Sequence, residues 1–171
     1  MLHNAGITAK RDLMSDDEPS ISEEDEMTVN FIAPVELTSH LLGVLSQRGP
    51  DGAFVCFVTS GLALTPKRAS PIYLVSKAAL RSYTKLLRAL LKATRPSVKV
   101  MEALPPAVAT EMTAGLDKGD NMMSPEASAK SIVQGIDAGK LDNYIEKTYW
   151  FRWIDCPGNW RIHDNRQALN D

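Results

Sequence analysis

Apolar residues recur at helical spacing over two long stretches of this chain, and two short, nearly unbroken apolar runs follow them in alternation. The first stretch carries Met27, Phe31, Val35, Leu41, Leu42 and Leu45, close to the rhythm that lays side chains along one helix face. It opens at Ser22, whose hydroxyl can cap free amides, and Glu23, Glu24 and Asp25 suit the positive end of the helix dipole. This helix should run from 22 to about Gln47, where Arg48-Gly-Pro-Asp-Gly52 makes a turn. Residues 53–60 are short, apolar, rich in β-formers and bounded by Gly52 and Gly61, as a strand buried on both faces would be. A second helix is expected from about Ile72 to Thr94, with Leu80, Tyr83, Leu87, Leu90 and Leu91 on one side and Pro96 stopping it. Residues 97–104 repeat the buried-strand pattern and end at Pro105-Pro106. Ser124-Pro125-Glu126 opens a third helix through about Ala138, with a serine cap, a proline in the first turn and then an acid. Tyr144-Ile145 reads as a short edge strand.

Helix, strand, helix, strand, helix is the alternation of a parallel α/β sheet. Two strands, or three, are too few for a doubly wound domain on their own. Residues 7–21, with Asp16-Asp17-Glu18-Pro19, read as a polar loop, and residues 144–171 as an aromatic, poorly periodic tail behind a folded portion of 1–143.

Composition narrows the picture without naming a task. The 171 residues suffice for one core, and 44% hydrophobic with 23% charged residues is ordinary for a globular protein. A net charge of −2 creates no field that would favour nucleic acid. Cys56 lies in an apolar run and Cys156 before Pro157-Gly158, so a disulfide is not expected and a reducing compartment is. Met-Leu-His-Asn-Ala-Gly-Ile is no secretory signal, and no apolar run approaches the roughly 20 residues of a membrane span, which makes the cytoplasm the expected location. His3, His40 and His163 lack metal-ligand spacing, so no metal site is expected.

The candidate chemistry centres on Tyr73 and Lys77, four apart and therefore on one helix face. A phenol titrates near pH 10, and a neighbouring ammonium favours the phenolate, so the pair can serve as a general acid/base; a surface lysine beside a half-buried tyrosine is the bland alternative. Ser60 ends the preceding strand, and the carboxyl ends of parallel strands form the binding crevice of such sheets; a turn residue or cap is its bland reading. Pro34 has no N–H, so the carbonyl of Asn30, four residues back, should lose its helical partner and the helix should kink there, unless it begins only near Pro34.

These residues together resemble the short-chain dehydrogenases/reductases. The likeness runs through Asn4-Ala5-Gly6, Asn30, Val58-Thr59-Ser60-Gly61, Tyr73-Leu-Val-Ser-Lys77 with Ala78-Ala79-Leu80, and Pro105-Pro106-Ala107-Val108-Ala109-Thr110-Glu111-Met112, in order over residues 3–112. The resemblance implies a partial Rossmann-type parallel sheet flanked by helices, lacking the first strands. It also implies an oxidoreductase acting on a small carbonyl or alcohol with NAD or NADP. On that likeness Tyr73 exchanges a proton with the substrate oxygen, Ser60 polarises it, and Lys77 lowers the pKa of Tyr73 and holds the nicotinamide ribose. Asn30 holds a relay water through its carbonyl; Asn4, Ala5 and Gly6 lie beside the cofactor, and Pro106, Val108 and Thr110 line the nicotinamide. Ala107 stands where the family often has glycine. No glycine-rich pyrophosphate turn is found, so a truncated gene model, a shortened piece or a decayed relative is expected, with strand 53–60 near an open edge and tight NAD(P) binding by the isolated chain not expected.

The remaining patterns read as support. Lys77, Arg81, Lys85, Arg88 and Lys92 form a stripe expected to be a solvated helix face rather than a nucleic-acid site. Tyr149, Trp150, Phe151, Trp153 and Trp160, with Lys147, Arg152 and Arg161, suggest a substrate lid or an oligomer contact ahead of a membrane surface. Helices 22–47 and 72–94 resemble the pair through which the family forms homo-oligomers. The rival readings are a non-catalytic remnant acting as a binding or regulatory subunit, and a peripheral membrane protein.

Overall fold

A computed structural model describes residues 1–11, 19–48, 52–64, 70–114 and 122–153, with side chains through Trp150. Four parallel strands, β1 (Leu2–His3), β2 (Ala53–Val58), β3 (Val98–Leu104) and β4 (Asp142–Tyr144), lie side by side in that order. The helices between them are α1 (Glu23–Ser46), α2 (Pro71–Thr94) and α3 (Pro125–Asp137). This is the expected α/β architecture, a parallel sheet flanked by helices.

β2 and β3 pair along their length, from Ala53 opposite Val98 to Val58 opposite Ala103. Their alternation divides the interior in two. Val55, Phe57, Val98 and Val100 pack with Leu80, Leu87 and Leu91 of α2, and Phe31, Leu42 and Leu45 of α1 close that side. Cys56, Val58, Met101 and Ala103 face the other way, toward Ile132 of α3 with Met123 and Ile145. Apolar runs without alternation are what two covered faces require. Cys56 behaves as a core hydrophobe, its thiol pushed up to about 11 by burial.

Helix starts follow the capping chemistry. Ser22 Oγ accepts from the Asp25 amide at 3.0 Å, and Ser124 Oγ from the Ala127 amide at 3.1 Å. α1 widens to a π-helix over Thr28–Ile32, just before Pro34. There the Ala33 amide bonds the Thr28 carbonyl, five residues back, so the helix accommodates the proline by a local change of winding.

Three features depart from the sequence reading. β1 is only two residues long, too short to leave a periodic signal, yet it pairs Leu2 with Cys56 and His3 with Phe57 and covers the C-terminal half of β2. The edge strand starts at Asp142 rather than Tyr144, because the polar Asn143 is buried and donates to the Ser131 carbonyl at 2.9 Å. α1 is also long and apolar enough to cross a membrane by length and composition, where no such run was expected. Its polar Glu26, Asn30 and Thr38 are buried against the rest of the chain, while 17% of its most apolar 18-residue window is covered. The loop Asp16-Asp17-Glu18 lies outside the described residues, as do Cys156, Trp160, Arg161, His163 and the side chains of Phe151, Arg152 and Trp153.

The basic stripe of α2 is corrected most clearly. Lys77 and Arg81 are 3% and 5% exposed, and Arg88 donates to the carbonyls of Val100 and Leu141 and to Asp142. That part of the stripe turns toward the sheet because carbonyls and carboxylates there receive it.

Candidate active site

Ser60 follows the end of β2 in an extended conformation, and its Oγ accepts from the Leu62 amide at 3.1 Å, capping the short turn Gly61–Ala63. Tyr73 and Lys77 occupy the first two turns of α2, which Pro71 opens. The Tyr73 phenol lies close enough to the Ser60 hydroxyl for that hydroxyl to influence its titration. The Lys77 ammonium lies 5.7 Å from the Tyr73 ring centroid and donates to the Val58 carbonyl at 3.1 Å. The strand end and the helix start therefore meet at the carboxyl rim of the sheet.

Asn30 is fully buried and works through its side chain. Oδ1 accepts from the Ile7 amide at 2.8 Å, while Nδ2 donates to the Ile7 carbonyl at 2.9 Å and to Ser76 Oγ at 3.1 Å. It thus ties the segment leaving β1 to α1 and α2, a role the reading of its backbone carbonyl did not include. Ser76 escaped the sequence reading altogether, although it stands inside the Tyr-Leu-Val-Ser-Lys run. Its hydroxyl donates to the Tyr73 carbonyl at 2.8 Å while accepting from Asn30.

Gly6 packs into the same corner. A Cβ there would come within 3.3 Å of both Asn30 Oδ1 and Lys77 Nζ, which explains the absence of a side chain. Asn4 and Ala5 are exposed at the carboxyl end of β1. Beyond β3, Pro106 and Val108 are half-buried and Ala107 and Thr110 exposed, in a loop held by a bridge from Val108 to Met123 and by the Thr113 hydroxyl donating to the Val108 carbonyl at 2.7 Å. The structure brings Asn30, Ser60, Tyr73, Lys77 and Gly6 together, and sets residues 4–5 and 106–110 at the strand ends on either side of β2. Among the described residues, no three His, Cys, Asp or Glu side chains are grouped to hold a metal ion.

Electrostatics differ from the expected picture in one respect. Burial pushes the Tyr73 phenol above its usual value; the nearby Ser60 hydroxyl opposes the rise and the Glu26 carboxylate adds to it. The Lys77 ammonium donates to the Val58 carbonyl and is itself lowered by burial to about 8.

Comparison with known proteins agrees with the fold and gives the family. Residues 1–121 match the family model for short chain dehydrogenase. The chain is 40% identical over 156 residues to the uncharacterized oxidoreductase DltE of Bacillus subtilis (strain 168), spanning 89% of this chain and 60% of that protein. It is 32% identical over 161 residues to 11-beta-hydroxysteroid dehydrogenase-like 3 of Arabidopsis thaliana, spanning 90% of this chain and 49% of that one. In fold it is similar to a short chain dehydrogenase from Burkholderia cenocepacia J2315 in complex with NADP, with a TM-score of 0.74 at 23% identity, over 98% of this chain and 65% of the other. A short-chain dehydrogenase from Sphingobium yanoikuyae in complex with NADPH gives the same TM-score of 0.74 at 24% identity, over 89% and 59% of the two chains. The chain thus spans about half to two thirds of the length of the relatives it matches.

Proposed function

The chain belongs to the short chain dehydrogenase family, and from that premise we propose that it carries the proton-transfer centre of an oxidoreductase acting on a small carbonyl/alcohol pair with NAD or NADP. The observation that carries this reading is the Ser60 hydroxyl at the end of β2 beside the Tyr73 phenol, with a buried Lys77 next to the Tyr73 ring. Two hydroxyls converging at one point can both address a single carbonyl oxygen. Ser60 donates to that oxygen and polarises it, and Tyr73 then delivers its proton. The phenolate left behind is costly in a buried place, and the Lys77 ammonium near the ring offsets that cost. Lys77 keeps its position through the Val58 carbonyl, and Asn30 keeps residue 7 and Ser76 in register with it.

Serine, tyrosine and lysine move protons, whereas reduction of a carbonyl also needs a hydride at carbon; a bound reduced nicotinamide supplies that hydride, and its oxidised form accepts one in reverse. The corner at Gly6 suits such a group: a methyl there would press on Lys77 Nζ at 3.3 Å, and the exposed residues 4–5 and 107 lie at the rim on both sides of β2. Lys77 would hold the ribose, with residues 4–6 and Pro106, Val108 and Thr110 on the flanks. We further propose a cytoplasmic protein that forms homo-oligomers through α1 and α2, where Leu37, Val44, Leu86 and Leu90 are at least half exposed.

The test is oxidation of NADPH or NADH by the full chain against a panel of ketones and aldehydes, beside Tyr73→Phe. A loss of about 10²–10⁴-fold in Tyr73→Phe is expected. Equal rates in the two proteins would remove Tyr73 from the chemistry and leave a binding subunit as the better description.

A further inference from the structure

Outside the Ser60–Tyr73 centre the interior holds another charged pair, formed by Arg11 and Glu26. They are 9% and 1% exposed. Arg11 Nη1 lies 3.2 Å from Glu26 Oε2, its Nη2 donates to the Ile21 carbonyl at 2.9 Å, and its Nε lies 3.7 Å from Glu23. Glu26 stands on α1 one turn before Asn30, and Arg11 ends the described part of the segment that leaves β1. That segment is therefore fastened to one helix twice, at Ile7 by Asn30 and at Arg11 by Glu26, with Ala9 buried between the two points.

The pair is a poor device for stability alone. A carboxylate removed from water loses more than one ionic contact returns unless all its lone pairs are satisfied. Here Glu26 Oε1 and Thr8 Oγ1 are both buried and neither completes a hydrogen bond. Burial pushes the Glu26 carboxyl above its usual range, against the lowering influence of the nearby Ala9 amide, then of Arg11 and Thr8. An apolar pair would fill the same space at less cost, so what the ions add is geometric, one fixed seat for residues 7–11 on the helix.

We propose that Arg11 and Glu26 are positioning residues, whose contact keeps the Ile7 amide and carbonyl on Asn30 and thereby keeps Gly6 seated against Lys77. The inference rests on the proposed function for its catalytic meaning, since Gly6 and Lys77 form the corner assigned there to the cofactor. The geometric part stands independently, because it predicts a local opening at Ile7.

Backbone amide exchange measured by NMR on the full chain, wild type beside Glu26→Gln and Arg11→Met, tests it. The Ile7 amide should exchange about tenfold faster in both variants, while Val100 in the centre of β3 changes far less. NADPH fluorescence titration of the same proteins should show a dissociation constant raised by about tenfold, with saturation retained. Unchanged Ile7 exchange in variants that melt at lower temperature would reduce the pair to a structural role and overturn the proposal. Wild-type protein that binds neither NADPH nor NADH would count against the cofactor reading alone, and Ile7 exchange would still decide the clamp. If Arg11→Met does not fold, Arg11→Lys replaces it: the charge persists, the fork that reaches both Glu26 and Ile21 is lost, and an Ile7 rate equal to wild type rejects the idea.

Discussion

Replacing Arg81 by methionine should damage the fold in a way that depends on pH. Arg81 Nη1 contacts Glu102 Oε2 at 2.5 Å, and the other carboxyl oxygen accepts from Thr59 Oγ1 at 2.6 Å. Glu102 is fully buried in β3, with Thr59 immediately before Ser60 and Arg81 one turn beyond Lys77. Methionine fills much of the arginine volume but leaves the carboxylate with the threonine hydroxyl as its remaining donor among these contacts. Breaking one side of a buried pair costs about 3–5 kcal/mol, and the Thr59 hydrogen bond, present with or without Arg81, does not reduce that difference. Burial already raises the Glu102 carboxyl above its ordinary value, with Arg81 and Thr59 pulling it back. Without Arg81 it rises further. A carboxyl whose folded pKa exceeds its unfolded one contributes stability that is complete below the unfolded value and disappears as pH climbs through the folded value. The deficit of Arg81→Met should therefore be small near pH 5, where the carboxyl can take up a proton, and grow toward pH 8. Urea unfolding of both proteins across that range measures it, and Arg81→Met combined with Glu102→Gln should lose most of the pH dependence. A deficit below about 1 kcal/mol throughout, or one that stays flat with pH, would refute the assignment of a buried, charge-bearing pair.

Two further outcomes follow from close packing and from linkage. Gly135→Ala should cost about 1–3 kcal/mol in thermal or chemical unfolding, because a Cβ at that position would sit 2.1 Å from Asn143 Nδ2, which is engaged with the Ser131 carbonyl. Lys77 is lowered from 10.5 to about 8 by burial, so the unfolded chain binds more protons between those values and wild-type stability should rise with pH there. Lys77→Met should lack that rise, a difference on the order of 3 kcal/mol at about 1.4 kcal/mol per unit, and parallel pH–stability curves for the two proteins would contradict it.

The elements that carry the site were legible because each has a local cause. Nearly unbroken apolar runs gave β2 and β3, serine caps gave the starts of α1 and α3, and Pro34 marked a disturbance of the helix near Asn30 that takes the form of a π-turn rather than the expected kink. Tyr73 and Lys77 could be paired because four residues of helix bring them together in any context. What escaped depends on partners remote in sequence. Thr59 and Glu102 are 43 residues apart, Arg81 and Glu102 are 21, and Asn30 and Ser76 are 46. No period or motif marks such pairs.

Arg81 shows why the distinction matters for the site. Tyr73, Lys77 and Arg81 follow one another at intervals of four along a single stripe of α2, and helical geometry alone assigns all three the same direction. Tyr73 and Lys77 were read as chemistry, yet Lys77 was also grouped with Arg81 in a stripe read as solvated surface, although what separates a buried cation from an exposed one is the group that faces it. Val58 offers Lys77 a carbonyl, and Glu102 offers Arg81 a carboxylate that also holds Thr59. Through that carboxylate the helix bearing Tyr73 is fastened to the residue before Ser60. The spacing between the Ser60 and Tyr73 hydroxyls is thus set from behind as well as at the rim, and a change at Arg81 should be felt there even though the arginine touches neither of them.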